Sequence, residues 1–239
     1  MKTLVVGASG ATGKLVVDQL INQGGEVVAI IRSQDALQDR QGLIKIVKQV
    51  HTVNVESFAK YLEGCDCVIS CLGHNLSFKG IMGKPRMLVR DTLSTICKAI
   101  LFNKPQTRVK VILMNSSGCA NKSNAEQTPL SQRLVVLLLR LILPPQHDNE
   151  AAADYLSKDI GANKGAIEWV IVRPDALVNQ DKVTPFTVLP SPVRNAIFNA
   201  GTTSRINVAS FMSSLVFDEL IWQRWQGQMP VIYNTDALS

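Results

Sequence analysis

Three glycine residues near the start of the chain have the spacing of a phosphate-binding turn. Residues 3–13 read Thr-Leu-Val-Val-Gly-Ala-Ser-Gly-Ala-Thr-Gly, and an amphipathic run begins at Lys14. A strand, a glycine turn and a helix in this order bind a pyrophosphate, because glycine allows close approach and N–H groups at the helix start face the anion. A glycine turn without a ligand is the alternative. We expect six residues to bind the phosphates of a dinucleotide: Gly7, Ser9, Gly10, Ala11, Thr12 and Gly13.

A single arginine predicts which dinucleotide binds. Arg32 follows the second apolar run, nineteen residues after Gly13, and residues 28–32 contain no acidic residue. Sites for NAD usually carry Asp or Glu near this position to bind the ribose 2′-OH, whereas the planar fork of Arg fits a 2′-phosphate. The sequence therefore favours NADP over NAD as the cofactor, with a solvated surface arginine as the alternative reading of Arg32.

The elements that position these residues are alternating strands and helices. Apolar runs and helical spacing together predict a doubly wound parallel sheet of the Rossmann type, an α/β fold with helices on both faces. Ligands bind such sheets at the carboxyl ends of the strands. The predicted strands are Thr3–Val6, Glu26–Ile31, Ile44–Val50, Cys67–Cys71, Val109–Met114 and Ile167–Val172, and the predicted helices between them include Val55–Leu62 and Arg86–Asn103.

The length of 239 residues indicates one domain, residues 1–239. Residues 74–85, with two glycines and a proline, predict a loop at the carboxyl end of the fourth strand. The last third contains Pro185, Pro190 and Pro192, followed by a helical pattern around Ser210–Ile221. A short apolar run, Met229–Tyr233, predicts a final strand.

The net charge of +6 suits an anionic ligand such as a phosphorylated cofactor. No stripe of Arg and Lys alternates with aromatic residues, so we expect no nucleic-acid partner. No apolar run reaches the roughly 20 residues that span a bilayer, and we expect a cytoplasmic protein without a transmembrane segment. The apolar run Leu134–Leu143 is expected to be buried in the core, against a substrate pocket or in a homodimer interface, with contact to a membrane surface as a further alternative.

The five cysteines are an odd number, which indicates reduced thiols in a cytosolic type of fold. Cys65, Cys67 and Cys71 precede His74, but this spacing matches no standard set of zinc ligands. Cys67 and Cys71 lie on an apolar strand, where a core position is the simpler explanation. We expect no metal site.

The segment Val6-Gly-Ala-Ser-Gly-Ala-Thr-Gly resembles the first turn of the short-chain dehydrogenase/reductase superfamily. It is most similar to the atypical members, which are NmrA-like proteins, flavin and biliverdin reductases and related NAD(P)H-binding proteins. The resemblance implies a doubly wound fold and a nicotinamide cofactor but leaves the reaction open. In short-chain reductases the region that corresponds to residues about 180–239 builds part of the substrate pocket, so we expect a small substrate lobe there.

The resemblance also implies further cofactor contacts. Asn54 occupies a position where similar proteins carry Asp or Asn near the adenine, although a turn residue explains this asparagine equally well. Leu72 and Gly73 resemble the segment that lies against the adenosine ribose. Pro174 resembles the proline that borders the nicotinamide amide, whereas Arg173 could equally be structural and donate to loop carbonyls.

Catalytic candidates follow the fifth predicted strand. Asn115-Ser116-Ser117-Gly118 resembles the segment from which short-chain reductases present a serine beside the nicotinamide, and Ser117 is the better match, with Ser116 second. A hydroxyl group there would donate to a substrate carbonyl. The usual Tyr-x-x-x-Lys pair is missing: Tyr155 is followed by Asp159 four residues later, and Lys158 is three residues away. Tyr155 therefore stays a weaker catalytic candidate, with burial of its ring as the alternative.

These observations predict an NADPH-dependent reductase of a small apolar or aromatic acceptor, which could be a quinone, a flavin or a carbonyl compound. In such an enzyme the cofactor performs the hydride chemistry and the protein orients it. The missing tyrosine–lysine pair supports an alternative, a non-catalytic NADP(H) sensor or assembly factor of the NmrA-like type. A sugar-nucleotide epimerase is a third alternative, which usually needs the missing pair.

Overall fold

The fold is organised around one twisted, mostly parallel sheet. The structure is a computed structural model that describes residues 1–73, 85–121, 144–161, 165–195 and 199–235. Its ten described strands are β1 (Lys2–Val6), β2 (Glu26–Ile31), β3 (Leu43–Val47), β4 (Cys67–Ser70), β5 (Val109–Met114), β6 (Ile167–Pro174), β7 (Ala176–Val178), β8 (Phe186–Leu189), β9 (Thr202–Ser204) and β10 (Val231–Asn234).

Eight of these strands form the main sheet, in the order β3-β2-β1-β4-β5-β6-β10-β8. Neighbouring strands are parallel from β3 to β10, and β8 pairs antiparallel with β10 at the edge. β7 and β9 form a separate parallel pair. The order reverses at β1, since the chain first builds outward to β3 and then returns to place β4 on the other side, and this reversal creates a crevice at the carboxyl ends of β1 and β4.

Helices cover both faces of the sheet. Those described are α1 (Ala11–Asn22), α2 (Val55–Tyr61), α3 (Leu88–Asn103), α4 (Pro144–Asp154), α5 (Arg205–Phe217) and α6 (Glu219–Trp225), and α4 continues as a π-helical segment, Tyr155–Ile160. Because side chains alternate along a strand, Leu4 and Val6 pack in the cluster that includes residues of α2, α3 and α4, whereas Val5 packs in the cluster that includes residues of α1 and α5. None of the described helices is both long and apolar enough to cross a membrane.

The fold class and all six predicted strands are confirmed, with shifts at their ends. The third strand ends at Val47 and not at Val50 as predicted, because Val50 begins a 3₁₀ turn, Val50–Thr52. The predicted final strand begins later, at Val231, after Pro230. Strands β7, β8 and β9 were not predicted, because three or four residues bounded by prolines or glycine carry little periodic signal.

The helical pattern around Ser210–Ile221 is divided between two helices. Asp218 lies between them, and its carboxylate accepts hydrogen bonds from the N–H groups of Leu220 (2.9 Å) and Ile221 (3.1 Å). This N-cap starts α6 and ends the continuity of the pattern. The predicted loop 74–85, except for its last residue, and the apolar run Leu134–Leu143 lie outside the described residues.

The region after residue 180 contributes to the core of the domain. β10 and β8 extend the main sheet, and α5 packs on α1. Val208 and Met212 of α5 are completely buried in the same cluster as Val16 and Leu20 of α1. β7 and β9 form a pair apart from the main sheet, and the expected substrate lobe at residues about 180–239 stays a prediction.

Candidate functional site

The glycine turn has a backbone that only glycine tolerates at two positions. Gly7 has φ +75°, and a β-carbon there would lie 2.6 Å from the carbonyl carbon of Cys71. A β-carbon on Gly13 would lie 2.1 Å from the carbonyl oxygen of Gly7. The N–H of Gly10 donates to that same oxygen at 3.0 Å and closes the turn. These contacts draw the start of α1 tightly against the end of β1.

The start of α1 is open for an anion. Gly10 is its N-cap and has no side chain to cap the helix, and the first turn holds no acidic residue. The first helical bond runs from the N–H of Lys14 to the carbonyl of Gly10. Among the described residues, a β-carbon on Gly10 would meet only the Gly7 oxygen, at 3.2 Å, so these residues leave the outer side of the turn open. Free N–H groups and the helix dipole then favour a phosphate.

The turn lies at the point where the strand order reverses. Val6 is in register with Ile30 of β2 and Ser70 of β4, so all three strands end at one level. The backbone N of Leu72 is 2.8 Å from where a Gly7 β-carbon would be, and Leu72 itself is buried. Gly73 is exposed, and no described residue lies within 4 Å of where its β-carbon would be. Gly7, Leu72 and Gly73 therefore border one crevice, as expected for a dinucleotide site.

Two cations follow β2 and β3 at the same edge. Arg32 is exposed directly after β2. Lys48, which the sequence analysis missed, is also exposed, and its backbone N–H donates to the carbonyl of Ile31 at 2.9 Å. Within the described part of the chain, neither side chain has a hydrogen-bond or ion-pair partner. The predicted third strand, Ile44–Val50, included Lys48, and only the observed end of β3 at Val47 places this lysine after the strand.

Asn54 has a local role in the structure. It is the N-cap of α2, and its Oδ1 accepts a hydrogen bond from the N–H of Ser57 at 3.0 Å. This bond satisfies one of the free N–H groups at the helix start. The turn explanation is thus sufficient for this asparagine, and contact with an adenine stays a prediction.

The two serines after β5 have opposite hydrogen-bonding roles. Ser116 Oγ accepts a bond from the N–H of Gly118 at 3.2 Å, which leaves its own hydrogen to donate. Ser117 is 5 % exposed, and its Oγ donates to Asp175 Oδ1 at 3.0 Å. The N–H of Ser117 donates to the carbonyl of Pro174 at 2.9 Å, which joins the ends of β5 and β6. The structure therefore brings Ser116, Ser117 and Pro174 together.

Asp175 is a buried carboxylate that sequence reasoning missed. It is 8 % exposed, and its Oδ2 accepts from the N–H of Gly201 at 2.9 Å. Its own N–H donates to Thr203 Oγ1, which in turn donates to the carbonyl of Ile232. Burial raises the pKa of Tyr233, and the nearby Asp175 charge raises it further. The carboxylate thus links the serine segment to β9 and β10.

Arg173 has a structural role, which is one of the two interpretations that the sequence allows. Its guanidinium is completely buried and donates to the carbonyls of Met229 (2.7 Å), Cys119 (2.9 Å) and Pro190 (3.3 Å). Three segments at the carboxyl edge are therefore held by one side chain, which orients the residues around Pro174.

Tyr155 is directed at α3 and not at the serines. Its ring lies 5.9 Å from the guanidinium carbon of Arg90, and its pKa is raised mainly by burial and lowered by a hydrogen bond with Ser94. Lys158 pairs with Asp154 at 3.0 Å. Asn149 of α4 contacts the serine segment, since its carbonyl accepts a hydrogen bond from Asn115 Nδ2. Tyr155 is six residues further along, about 9 Å of helical rise.

Polar residues at the start of α4 adjoin the serine segment instead. Gln146 Nε2 donates to the carbonyl of Gly118 at 3.4 Å and to Glu150 Oε1 at 3.0 Å. Glu150 is 8 % exposed. These side chains were not predicted, because a Gln-x-x-x-Glu pair on a helix has no specific signature. Asp148, on the same helix, is buried and caps α3 by accepting from the N–H groups of Val89 and Arg90.

All five cysteines are buried, and none of them forms a disulfide bond. Burial raises the pKa of the Cys65 thiol to about 11 and those of Cys71 and Cys97 to about 12. Burial also raises the pKa of the Cys67 thiol. His74, which follows Cys65, Cys67 and Cys71 in the spacing that was compared with zinc sites, lies outside the described residues. Among the residues with described positions, no group of three His, Cys, Asp or Glu side chains could hold a metal ion.

Comparison with solved structures shows the same fold in bacterial proteins. The oxidoreductase ylbE of Lactococcus lactis is 17 % identical, with a TM-score of 0.70 over 98 % of this chain and 91 % of that one. ChuY, an anaerobilin reductase of Escherichia coli O157:H7, is 16 % identical, with a TM-score of 0.68 over 99 % and 98 %. A short-chain dehydrogenase/reductase of Veillonella parvula in complex with NADP is 14 % identical, with a TM-score of 0.66 over 99 % and 95 %.

Among curated proteins, none matches the chain significantly. The sequence model of one family does match, and it covers residues 7–219, from the first glycine of the turn to the start of α6. That range includes both the phosphate-binding turn and the serine segment. The chain belongs to the NAD(P)H-binding family.

Proposed function

We propose that the protein is an NADP(H)-dependent reductase of a small, flat, apolar or aromatic acceptor. The observation that carries the cofactor half of this proposal is the steric requirement for glycine at positions 7 and 13, beside a helix start with free N–H groups. The fold itself does not require open space outside this turn. A bound pyrophosphate would need that space. Gly7, Ser9, Gly10, Ala11, Thr12 and Gly13 are the residues we propose around it.

The preference for NADP rests on Arg32 and Lys48. Both are exposed cations at the ends of neighbouring strands. An anion bound next to them would offset the repulsion between their two positive charges. A ribose 2′-phosphate on the adenosine side of the crevice supplies that anion. The Veillonella protein, which has the same fold, was solved in complex with NADP, and this agrees with the proposed cofactor.

The chemistry of the proposed site is simple. When bound, the cofactor supplies a hydride. Residues of this chain would hold it through the glycine turn, Leu72, Gly73 and Pro174. Ser116, whose hydroxyl hydrogen has no acceptor among the described residues, would donate to the oxygen of the acceptor on which negative charge develops. Ser117 stays a catalytic candidate.

The acceptor class rests on similarity. ChuY, which shares the fold, is an anaerobilin reductase, and a flavin or quinone is comparably flat and conjugated. The alternative function is a non-catalytic NADP(H) sensor. It is favoured by the direction of Tyr155, which packs on α3 about 9 Å along the helix from the serine segment.

Calorimetry on variants of the two cations tests the cofactor. Arg32→Ala and Lys48→Ala should each weaken NADPH binding about tenfold, with little effect on NADH, because a charge-assisted hydrogen bond contributes roughly 1.5–3 kcal/mol. Arg108→Ala is the matched control, since Arg108 is exposed but pairs with Glu168 at the amino end of β5. Equal affinity of the intact protein for NADPH and NADH would exclude the NADP assignment.

Turnover tests the choice between reductase and sensor. NADPH oxidation should be measured with a panel of quinones, flavins, linear tetrapyrroles and carbonyl compounds. Ser116→Ala should lower the rate with the best acceptor about 10²-fold, as for the loss of one donor to a developing charge, whereas Tyr155→Phe should change it less than twofold. A protein that binds NADPH tightly and reduces no compound of the panel is a sensor.

A further inference from the structure

The direction of the buried hydrogen bond from Ser117 to Asp175 determines which ligand groups Ser117 can bind. In a sheet of the order β3-β2-β1-β4-β5-β6, the second half of a dinucleotide lies over the carboxyl ends of β4, β5 and β6. Ser117 and Pro174 are at those ends and are joined by a 2.9 Å backbone hydrogen bond. The nicotinamide of a bound cofactor therefore lies next to this segment, and the inference rests on the proposed function to that extent.

A serine hydroxyl has one hydrogen and two lone pairs. The hydrogen of Ser117 is directed at Asp175 Oδ1, 3.0 Å away. The carboxylate is an acceptor only, and its other oxygen already accepts from the N–H of Gly201, a donor that cannot reverse. The pair is 5 % and 8 % exposed, so water cannot easily replace either bond. Ser117 Oγ is thus left with lone pairs to offer.

We propose that Asp175 fixes Ser117 as a hydrogen-bond acceptor and that Ser117 Oγ accepts the carboxamide N–H of the nicotinamide. Asp175 is a positioning residue in this scheme, since it acts through Ser117. The two serines then differ in what they recognise: Ser116 offers a hydrogen and Ser117 offers a lone pair. A ring substituent with a carbonyl but no N–H group loses the bond to Ser117.

The substitution Asp175→Asn would reverse the direction of the hydrogen bond between Ser117 and residue 175 without changing the shape of the side chain. The Gly201 N–H still needs an acceptor, so the amide oxygen of Asp175→Asn faces Gly201. The amide nitrogen then faces Ser117 and donates to its Oγ, which turns the hydroxyl hydrogen toward the ligand. The variant serine would bind a carbonyl, which the ordinary nicotinamide and an acetyl-substituted analogue both carry.

The test compares two dinucleotides by calorimetry: NADP⁺ and its 3-acetylpyridine analogue, which has a methyl group in place of the carboxamide NH₂. The wild-type protein should bind NADP⁺ more tightly by about fivefold or more, the value of one net hydrogen bond. In Asp175→Asn the ratio of the two affinities should fall close to one. Ser117→Ala should abolish the preference as well, by removing the acceptor.

Thr203→Val is the matched control. Thr203 belongs to the same buried network, and the variant loses its bonds to Asp175 N and Ile232 O but leaves the Ser117–Asp175 bond in place. It should lower the melting temperature and keep the wild-type affinity ratio. Thermal unfolding of Asp175→Asn and Ser117→Ala identifies any variant that is not folded.

The outcomes separate this inference from the proposed function. An affinity ratio in Asp175→Asn and Ser117→Ala equal to that of the wild-type protein would overturn the role of Asp175, as would equal binding of both dinucleotides to the wild-type protein. In either case NADP⁺ still binds and the proposed function stands. Failure of the wild-type protein to bind NADP⁺ at all would overturn both.

Discussion

At the scale of single residues, identical residue types in one motif have different tasks. Gly7 and Gly13 are required by the protein itself, since a β-carbon at either position would overlap the backbone of Cys71 or of Gly7. Gly10 has an ordinary extended backbone, with φ −74° and ψ 165°, and open space outside it. Its lack of a side chain therefore benefits a ligand more than the fold.

This difference predicts opposite phenotypes for two glycine substitutions. Gly10→Val should leave the melting temperature within a few degrees of the wild-type value but abolish dinucleotide binding, because its branched side chain occupies the space of the pyrophosphate. Gly13→Ala should lower the free energy of unfolding by about 3 kcal/mol or more, the range of severe steric mutations. Urea unfolding and calorimetry distinguish the two. Unchanged NADPH affinity in Gly10→Val would place the ligand elsewhere.

At the scale of elements, side chains from distant segments complete helices and loops. α3 begins at Leu88 without a cap from its own side chains, and Asp148 of α4 accepts hydrogen bonds from the N–H groups of Val89 (2.8 Å) and Arg90 (2.9 Å). Negative charge at a helix start is favourable for the same reason that a phosphate is favourable at α1. Asp148 therefore fixes α4 to the start of α3.

Removal of this cap should destabilise the protein measurably. Asp148→Ala should lower the free energy of unfolding by about 2 kcal/mol, because capping residues contribute roughly 0.5–2 kcal/mol and these N–H groups are poorly hydrated. Asp148→Asn keeps an oxygen that can accept one of the bonds and should lose about half as much. The measurement is urea unfolding, and equal stability of the wild-type and Ala proteins would contradict the capping role.

Arg173 makes a comparable prediction for the loops at the carboxyl edge. Arg173→Met keeps an unbranched side chain but leaves the carbonyls of Met229, Cys119 and Pro190 without their donor. Met229 and Cys119 are buried, whereas Pro190 is exposed. Each buried carbonyl that loses its donor costs roughly 1–3 kcal/mol, so a loss of about 2 kcal/mol or more is expected in urea unfolding. Arg108→Met, at an exposed ion pair, should change stability by less than about 1 kcal/mol. A similar effect of both substitutions would mean that Arg173 is not a structural tie.

At the scale of the whole molecule, the sheet and its two layers of helices shield the thiols. All five cysteines are buried, and the raised pKa values of Cys65, Cys71 and Cys97 mean that well under one per cent of each is thiolate at pH 8. We expect no fast reaction of the folded protein with a disulfide reagent at pH 8 and five reactive thiols in urea. A fast phase of one or more thiols in the folded protein would show that the sheet opens locally.

The sequence by itself determined the sheet and the phosphate-binding turn. Short apolar runs rich in β-branched residues, such as Glu26–Ile31 and Val109–Met114, are typical of inner strands of a parallel sheet that is covered on both faces. The glycine spacing is equally local, since Gly7, Gly10 and Gly13 lie within one turn and the first turn of a helix. Arg32 and the serine segment were found because they directly follow such strands. Each of these features depends on neighbours in the chain.

Only the tertiary structure decided which atoms of the predicted residues are available. The Ser117 hydrogen is directed at Asp175, which is 58 residues away, and the ring of Tyr155 is directed at Arg90 of a different helix. Lys48 lies at the same edge as Arg32 because β3 pairs with β2. Side-chain direction and hydrogen-bond polarity arise from contacts between distant segments, and no local pattern in a sequence encodes the donor of one segment and the acceptor of another.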